Sequence, residues 1–319
     1  MKLKKHLKYF RLIQAVMLCC LLGNGFYATA QYEPQFTQYL NNELFINPAY
    51  AGSRGFAAAT LLYRDQWVGI EGAPRTATFG FHAPFVHDKV GLGICIMNDR
   101  IGVTNQTGMF LNYAYHLPTS ENGTLSFGLQ GGFINVDEKL LDVTTIDPGD
   151  PQFSNNVYGK VMPNFGYGMY YHTNNKFYVG FSIPRLMENK IDASTFKTIN
   201  SVSIHNWHYY LYSAYVFDAG ESVKCKPSVM IKAVQGATAE MDVTMNVLFK
   251  ELFWLGVAYR TGDAVSLITQ YQLTKQLRFG YSYDYALTKL NNYSSGTHEF
   301  TLGYDFSFDK AKIVTPRYF

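Results

Sequence analysis

Residues 297–308 read Thr297-His298-Glu299-Phe300-Thr301-Leu302-Gly303-Tyr304-Asp305-Phe306-Ser307-Phe308. Phe300, Leu302, Tyr304, Phe306 and Phe308 fall on one parity. Thr297, Glu299, Thr301, Gly303, Asp305 and Ser307 fall on the other. A period of two is that of a β-strand, whose successive side chains point to opposite faces. One face of this strand is oily and aromatic, and the other is polar and small.

The pattern repeats upstream. Leu277, Phe279, Tyr281, Tyr283 and Tyr285 stand opposite Gln276, Arg278, Gly280, Ser282 and Asp284. Similar rows are Phe253, Leu255, Val257 and Tyr259; Phe177, Val179, Phe181 and Ile183; Phe165, Tyr167, Met169 and Tyr171; and Met109, Leu111, Tyr113, Tyr115 and Leu117. Phe79 and Phe81 line up in the same way, and weaker segments lie near 56–66, 89–98, 123–134, 205–218, 224–235, 239–248 and 263–273. These make about fourteen strands of roughly ten residues, the length a tilted strand needs to cross a bilayer.

Composition agrees. Aromatic residues are 16% of the chain and charged residues also 16%, which excludes disorder and coiled coil. The mean hydropathy of −0.10 excludes a helical membrane protein, and no apolar run after the amino-terminal one reaches spanning length. The connections alternate in length as well. With the first strand running outward, short inner turns fall near Val86–Asp88, Pro118–Asn122, Asn174–Asn175, Ala219–Val223, Lys250–Glu251 and Thr274–Lys275. The connections near Trp67–Pro74, Val136–Tyr158, Arg185–Ile204 and Ala286–Gly296 then lie outside, the bacterial outer-membrane arrangement. A soluble β-sandwich or propeller also alternates. It would hide its oily face, however, and the polar parity here carries Gly, Ser, Gln and Asn with isolated charges, which suits a barrel lumen. The expected fold is therefore all-β, a transmembrane antiparallel up-and-down barrel that closes because lipid offers no partner to a strand edge.

Residues 1–30 read as a secretory signal. Lys2, Lys4, Lys5, Lys8 and Arg11 precede the apolar run Leu12–Leu22, and Ala28-Thr29-Ala30 supplies the cleavage pattern. Cys19 and Cys20 lack the small preceding residue of a lipidated cysteine, so Cys95 and Cys225 remain, with no disulfide or metal spacing. Removing the five basic residues of this leader from the 27 in the chain leaves 22 against 24 acidic ones, which gives nucleic acid no electrostatic support. The expected organisation is a leader at 1–30, an amino-terminal pre-barrel segment at 31–55 that lacks alternation, and the barrel with its tail at 56–319.

Chemistry is sparse. The eight histidines, His6, His82, His87, His116, His172, His205, His208 and His298, form no zinc spacing, and their reading is as rim residues beside an aromatic band. Asp142, Asp147 and Asp150 share a loop without the spacing of a calcium loop. No nucleophile elbow or phosphate loop appears. No catalytic residue, metal or cofactor is expected. Arg64, Arg260, Arg278, Asp284, Glu299 and Asp305 are candidate lumen charges, either as a salt-bridge network filling the barrel or as a selectivity filter. The interspersed signs favour the network.

The segment Pro34-Gln35-Phe36-Thr37-Gln38-Tyr39, followed by Ile46-Asn47-Pro48-Ala49-Tyr50-Ala51-Gly52-Ser53, resembles the opening signature of the PorP/SprF family. So do Arg64-Asp65-Gln66-Trp67-Val68-Gly69 with Gly72-Ala73-Pro74, Phe81-His82, Ser282-Tyr283-Asp284-Tyr285, Gly296-Thr297-His298-Glu299 and the terminal Pro316-Arg317-Tyr318-Phe319. Glu33 stands where Asp is more usual. The resemblance implies an integral outer-membrane component of the type IX secretion system without catalysis, tied to adhesin secretion or surface anchoring and to gliding motility. It implies as partners the other machine components, a large adhesin or its C-terminal domain, and outer-membrane lipid, with both chain termini periplasmic. The signature residues Gln35, Phe36, Gln38, Tyr39, Asn47, Pro48, Ala49, Tyr50, Ala51, Gly52, Trp67, Gly72 and Pro74 are candidates for partner binding.

Two readings of the pre-barrel segment stay open at this stage. Gln35, Phe36, Tyr39, Phe45 and Tyr50 pack it into the inner mouth as a plug, or it lies along the periplasmic rim. Pro48, which lacks an N–H and extends Asn47, and Gly52, which tolerates positive φ, fix the entry into the first strand. The functional alternatives are a passive channel or small-molecule transporter, and a rim hydrolase for which no spacing nominates a nucleophile.

Overall fold

The computed structural model describes residues 33–145, 153, 155–173, 176–191 and 198–306. The leader, the turn at Asn174–Asn175, Asp147, Gly149 and Asp150, Ser307 and Phe308, and the terminal Pro316–Phe319 lie outside the described residues.

The described residues make seventeen strands: β1 (Ala58–Asp65), β2 (Arg75–Phe85), β3 (Val90–Ile101), β4 (Thr104–Pro118), β5 (Gly123–Glu138), β6 (Val157–Thr173), β7 (Phe177–Ile183), β8 (Met187–Ile191), β9 (Thr198–Val202), β10 (Tyr209–Tyr215), β11 (Phe217–Gly220), β12 (Val223–Ala233), β13 (Glu240–Phe249), β14 (Phe253–Arg260), β15 (Ala264–Gln272), β16 (Leu277–Ala286) and β17 (Thr297–Asp305). Neighbours pair antiparallel in chain order, and β1 closes on β17 with Leu62 opposite Thr301. Strand β11 carries β10 onward past Val216, and both pair with β12. The β8–β9 hairpin stands apart as its own small sheet. The barrel proper is thus closed and fourteen-stranded, as the alternation indicated. No edge is left in the ring, which is the condition for spanning hydrocarbon.

The faces divide by parity. On β4, Met109, Leu111, Tyr113, Tyr115 and Leu117 point outward, while Phe110, Asn112, Ala114 and His116 are buried inside. On β17, Phe300 and Leu302 point outward, and Thr297, Glu299 and Thr301 inward. Among the described residues no helix is long and apolar enough to cross a membrane.

Three details differ from the sequence reading. Strands β5 and β6 run further at the long-loop end than expected, so the connection between them is 139–156 rather than one starting near Val136. The connection near Arg185–Ile204 is not plain loop but carries the β8–β9 hairpin. His82 and His116 are not rim residues: both are buried in the lumen, because their parity on β2 and β4 is the inward one.

Candidate functional site: the lumen and the segment inside it

The interior is occupied by the chain that precedes β1. From Tyr39 to Tyr50 it forms one short helical turn, Glu43–Ile46, flanked by two 3-10 turns, Tyr39–Asn41 and Pro48–Tyr50. These turns satisfy backbone groups locally, so the segment fills a cavity without needing a strand partner.

Its ends fix its path. The Glu33 carboxylate meets Arg185 at 2.7 Å, just beyond β7 at the long-loop end. Gln35 Nε2 donates to Glu240 at 2.8 Å, at the same end. The Gly52 N–H donates to His82 Nδ1 at 3.0 Å, and Arg54 pairs with Asp305 at 2.8 Å, both near the short turns. The segment therefore runs the length of the lumen, rather than occupying the inner mouth alone. The expected periplasmic amino terminus falls on residues outside the described ones. The first described residue, Glu33, lies at the long-loop end.

Three contact zones hold it. In the half towards the long loops, both Glu299 oxygens accept consecutive backbone N–H groups, from Thr37 at 3.0 Å and Gln38 at 2.7 Å. Arg64 bridges Glu299 at 3.0 Å and Asp284 at 2.9 Å, and Thr37 Oγ1 donates to Asp284. Gln38 also donates to the Glu299 carbonyl and accepts from Thr301. Burying these charges is tolerable because each is paired and hydrogen-bonded. A second network on the adjoining wall joins Lys232 to Glu240 and Asp242, and Arg260 to Asp242 at 2.8 Å.

In the middle, Phe36 packs edge-on against Phe45, and Tyr50 edge-on against Tyr170, which neighbours Tyr178 and Tyr212. Asn47 is fully buried. Its Nδ2 donates to the Met169 carbonyl at 2.9 Å, and its Oδ1 caps the Ala49 N–H at 3.0 Å. Pro48 follows it at the first position of a 3-10 turn, where a missing N–H costs nothing.

At two points the wall gives way to backbone. A Cβ on Gly128 of β5 would collide with Pro48 and Ala49, and one on Gly91 of β3 with Ala51. The Ala49-Tyr50-Ala51-Gly52 run therefore lies directly on bare strand, and this explains its small residues at 49 and 51, both with 0% exposure. Gly52 takes φ +74 where the chain turns toward β1.

Glu43 is the exception to pairing by proximity. Burial pushes its carboxyl up to about 8, against the pull of Lys226 and Arg54, and it faces the Tyr212 hydroxyl.

The candidate residues thus sort into groups. Gln35, Phe36, Gln38, Tyr39, Asn47, Pro48, Ala49, Tyr50, Ala51 and Gly52 come together in the lumen. Trp67, Gly72 and Pro74 do not join them. They shape the long-loop end after β1, where Trp67 donates to Thr297 Oγ1, Gly72 accepts from Gly102 and Pro74 accepts from Gln66. Arg64, Asp284 and Glu299 form one cluster, Arg260 lies in the adjoining one, and Arg278 pairs with Asp305 near the short turns. Arg54, Lys226, Lys232, Glu240, Asp242 and the buried tyrosines were not singled out in the sequence. Parity on β12 and β13 marks Lys226, Lys232 and Asp242 as inward, and that signal was readable.

The fold and its filled interior define an integral outer-membrane β-barrel. A sequence model of the family described as type IX secretion system membrane protein PorP/SprF matches residues 28–304, and the chain belongs to that family. Among solved structures it is similar to the CymD monoaromatic hydrocarbon channel, at 10% identity and TM-score 0.51, covering 89% of this chain and 95% of that one. It is also similar to a TodX monoaromatic hydrocarbon channel deltaS2 mutant, at 9% identity and TM-score 0.50, covering 85% and 95%. At these identities the likeness is one of fold alone. No protein of curated function matches the chain.

Proposed function

We propose that this barrel is a non-enzymatic anchoring component of the type IX secretion system, supporting secretion or surface attachment of adhesin-type cargo that carries a C-terminal secretion domain. The segment from Glu33 to Ala57 acts as a built-in plug, so the barrel serves as a membrane-held scaffold rather than a conduit. The observation that carries this reading is the occupation of the lumen from Glu33–Arg185 at one end to Arg54–Asp305 at the other. A passive channel needs that space open.

In this reading the short turns and the carboxyl-terminal end of β17 face the periplasm and the other machine components. The long connections after β5 and β7, the second carrying the β8–β9 hairpin, face the cell exterior and the cargo. Signature residues Trp67, Gly72 and Pro74 shape that outer surface, whereas the lumenal signature residues hold the plug and touch no partner directly.

The test is exchange of the connections at 136–158 and 185–204 with those of a paralogue serving another adhesin. Cargo choice should follow the loops. Unchanged cargo specificity after both are exchanged would contradict the assignment. Affinity purification from detergent-solubilised envelope should bring down secretion-machinery proteins with the barrel.

A further inference from the structure

At the long-loop end the plug is held by a side chain from the connection after β7. Glu33 Oε1 meets Arg185 Nε at 2.7 Å, and the two side chains are only 8% and 17% exposed. Arg185 lies two residues before β8, at the foot of the β8–β9 hairpin. That foot is stiff. Pro184 rests on the bare backbone of Gly166 in β6, where a Cβ would collide with the Pro184 carbonyl. The same carbonyl accepts from Asn164 Nδ2 at 2.9 Å, and the Leu186 N–H donates to the Phe165 carbonyl at 2.8 Å. Trp207, on the far side of the hairpin, donates from Nε1 to the Leu186 carbonyl at 3.0 Å. The position of Arg185 is therefore set by the residues through which the hairpin enters and leaves the barrel.

The plug is not packed solid here. A small cavity separates it from the wall, lined by Pro34 and Phe36 on one side and by Pro184, Tyr210 and Met230 on the other. Further along the lumen the hold is firmer, where Glu299 takes two backbone N–H groups and Asn47 is fully buried. The charge of Arg185 also acts on a second carboxylate, Asp99, which points inward from β3 and accepts from Thr76 Oγ1 at 2.6 Å. One guanidinium thus stands between a carboxylate of the plug and a carboxylate of the wall. It can hold the plug, or stay neutralised on the wall once the end of the plug has left. The contact has two discrete arrangements, as an element that couples two sites requires.

We propose that Glu33 and Arg185 form a latch between the β8–β9 hairpin and the plug. Displacing the foot of the hairpin moves Arg185 and frees Glu33 to Phe36, while the Glu299 clamp keeps the rest of the segment in place. The latch rests on the proposed function only for what displaces the hairpin, a secreted partner on the long-loop side. The coupling itself is a property of this chain alone.

Hydrogen exchange of the purified full-length barrel in detergent tests it. In R185Q and in E33Q the Gln35 and Phe36 amides should exchange roughly fivefold faster or more, with Ala49 and Ala51 unchanged. The two changes together should loosen these amides no more than either alone. The deciding variant keeps Arg185 and replaces residues 188–203, the hairpin, with a short Gly-Ser linker. It should loosen Gln35 and Phe36 as R185Q does, although none of the replaced residues forms the ion pair. Coupling is reciprocal, so E33Q should in turn speed exchange in β8. Circular dichroism and heat-dependent gel mobility check that each variant is folded. Trp207→Phe, which removes the bond to Leu186 and keeps a ring, serves in place of the linker variant if that one is not. Native exchange at Gln35 and Phe36 in the folded linker variant, or in Trp207→Phe in its stead, would overturn the latch. So would additive loosening in the double variant, or unchanged exchange of β8 in E33Q. None of these outcomes depends on cargo secretion, so failure here and failure of the loop exchange are separable.

Discussion

The backbone N–H of Gln38 donates to Oε1 of Glu299 over 2.7 Å, joining the start of the chain to its last strand across 261 residues of sequence. The other Glu299 oxygen takes the Thr37 N–H and the Arg64 guanidinium. One carboxylate thus ties the lumenal segment, the first strand and the closing strand together, at the seam where β1 meets β17.

Replacing Glu299 with Gln removes the charge that holds these donors and leaves Arg64 buried with Asp284 alone. The expected cost is about 3–5 kcal/mol, the range for breaking a buried ion pair by removing one partner. Thermal unfolding followed by gel mobility should show a lowered midpoint, and the segment should become sensitive to protease before the barrel does.

Gly128→Val places a branched side chain where the Pro48–Ala49 backbone lies. The wall strand is held on both sides by β4 and β6, so the segment must give way. The expected outcome is a barrel that still assembles but exposes the Asn47–Gly52 region. Hydrogen exchange of the Ala49 and Ala51 amides should rise well above that of the wall strands.

Leu111→Arg puts a charge on the outward face of β4 near mid-strand, at a position that is 61% exposed. In a membrane this should destabilise the barrel by about 2–4 kcal/mol. For a water-soluble protein the same change would be nearly neutral. Folding into lipid vesicles under urea gives the measurement.

Glu43 sets a pH dependence. It lies in the lumenal segment rather than in a membrane-crossing strand, and burial raises its carboxyl to about 8 from an ordinary 4.5, against Lys226 and Arg54. The folded state therefore holds a proton that the unfolded chain releases earlier. Its contribution to stability is present in full below about 4.5 and is lost as pH rises through about 8. Unfolding midpoints should fall between pH 5 and pH 9 in the native chain and fall less in Glu43→Gln.

The wall was legible in the sequence because lipid on one side and a polar lumen on the other force a period of two, and rows such as Met109 to Leu117 display it without interruption. The charges Arg64, Asp284 and Glu299 were legible for the same reason, by parity. The route of the segment was not. Its contacts depend on side chains such as Glu240, Arg185 and His82, distant in sequence, and on the bare backbone at Gly91 and Gly128. A glycine in a strand gives no sign of what lies against it. The β8–β9 hairpin was missed because its strands are five residues each and carry no oily row.

Single-channel recording in planar bilayers bears most directly on the central idea that the chain occupies its own lumen. The native barrel should insert without porin-like conductance steps, and a variant lacking residues 33–52 should insert and conduct steadily. Stable open-channel current from the native protein, equal to that of the deletion, would contradict the account.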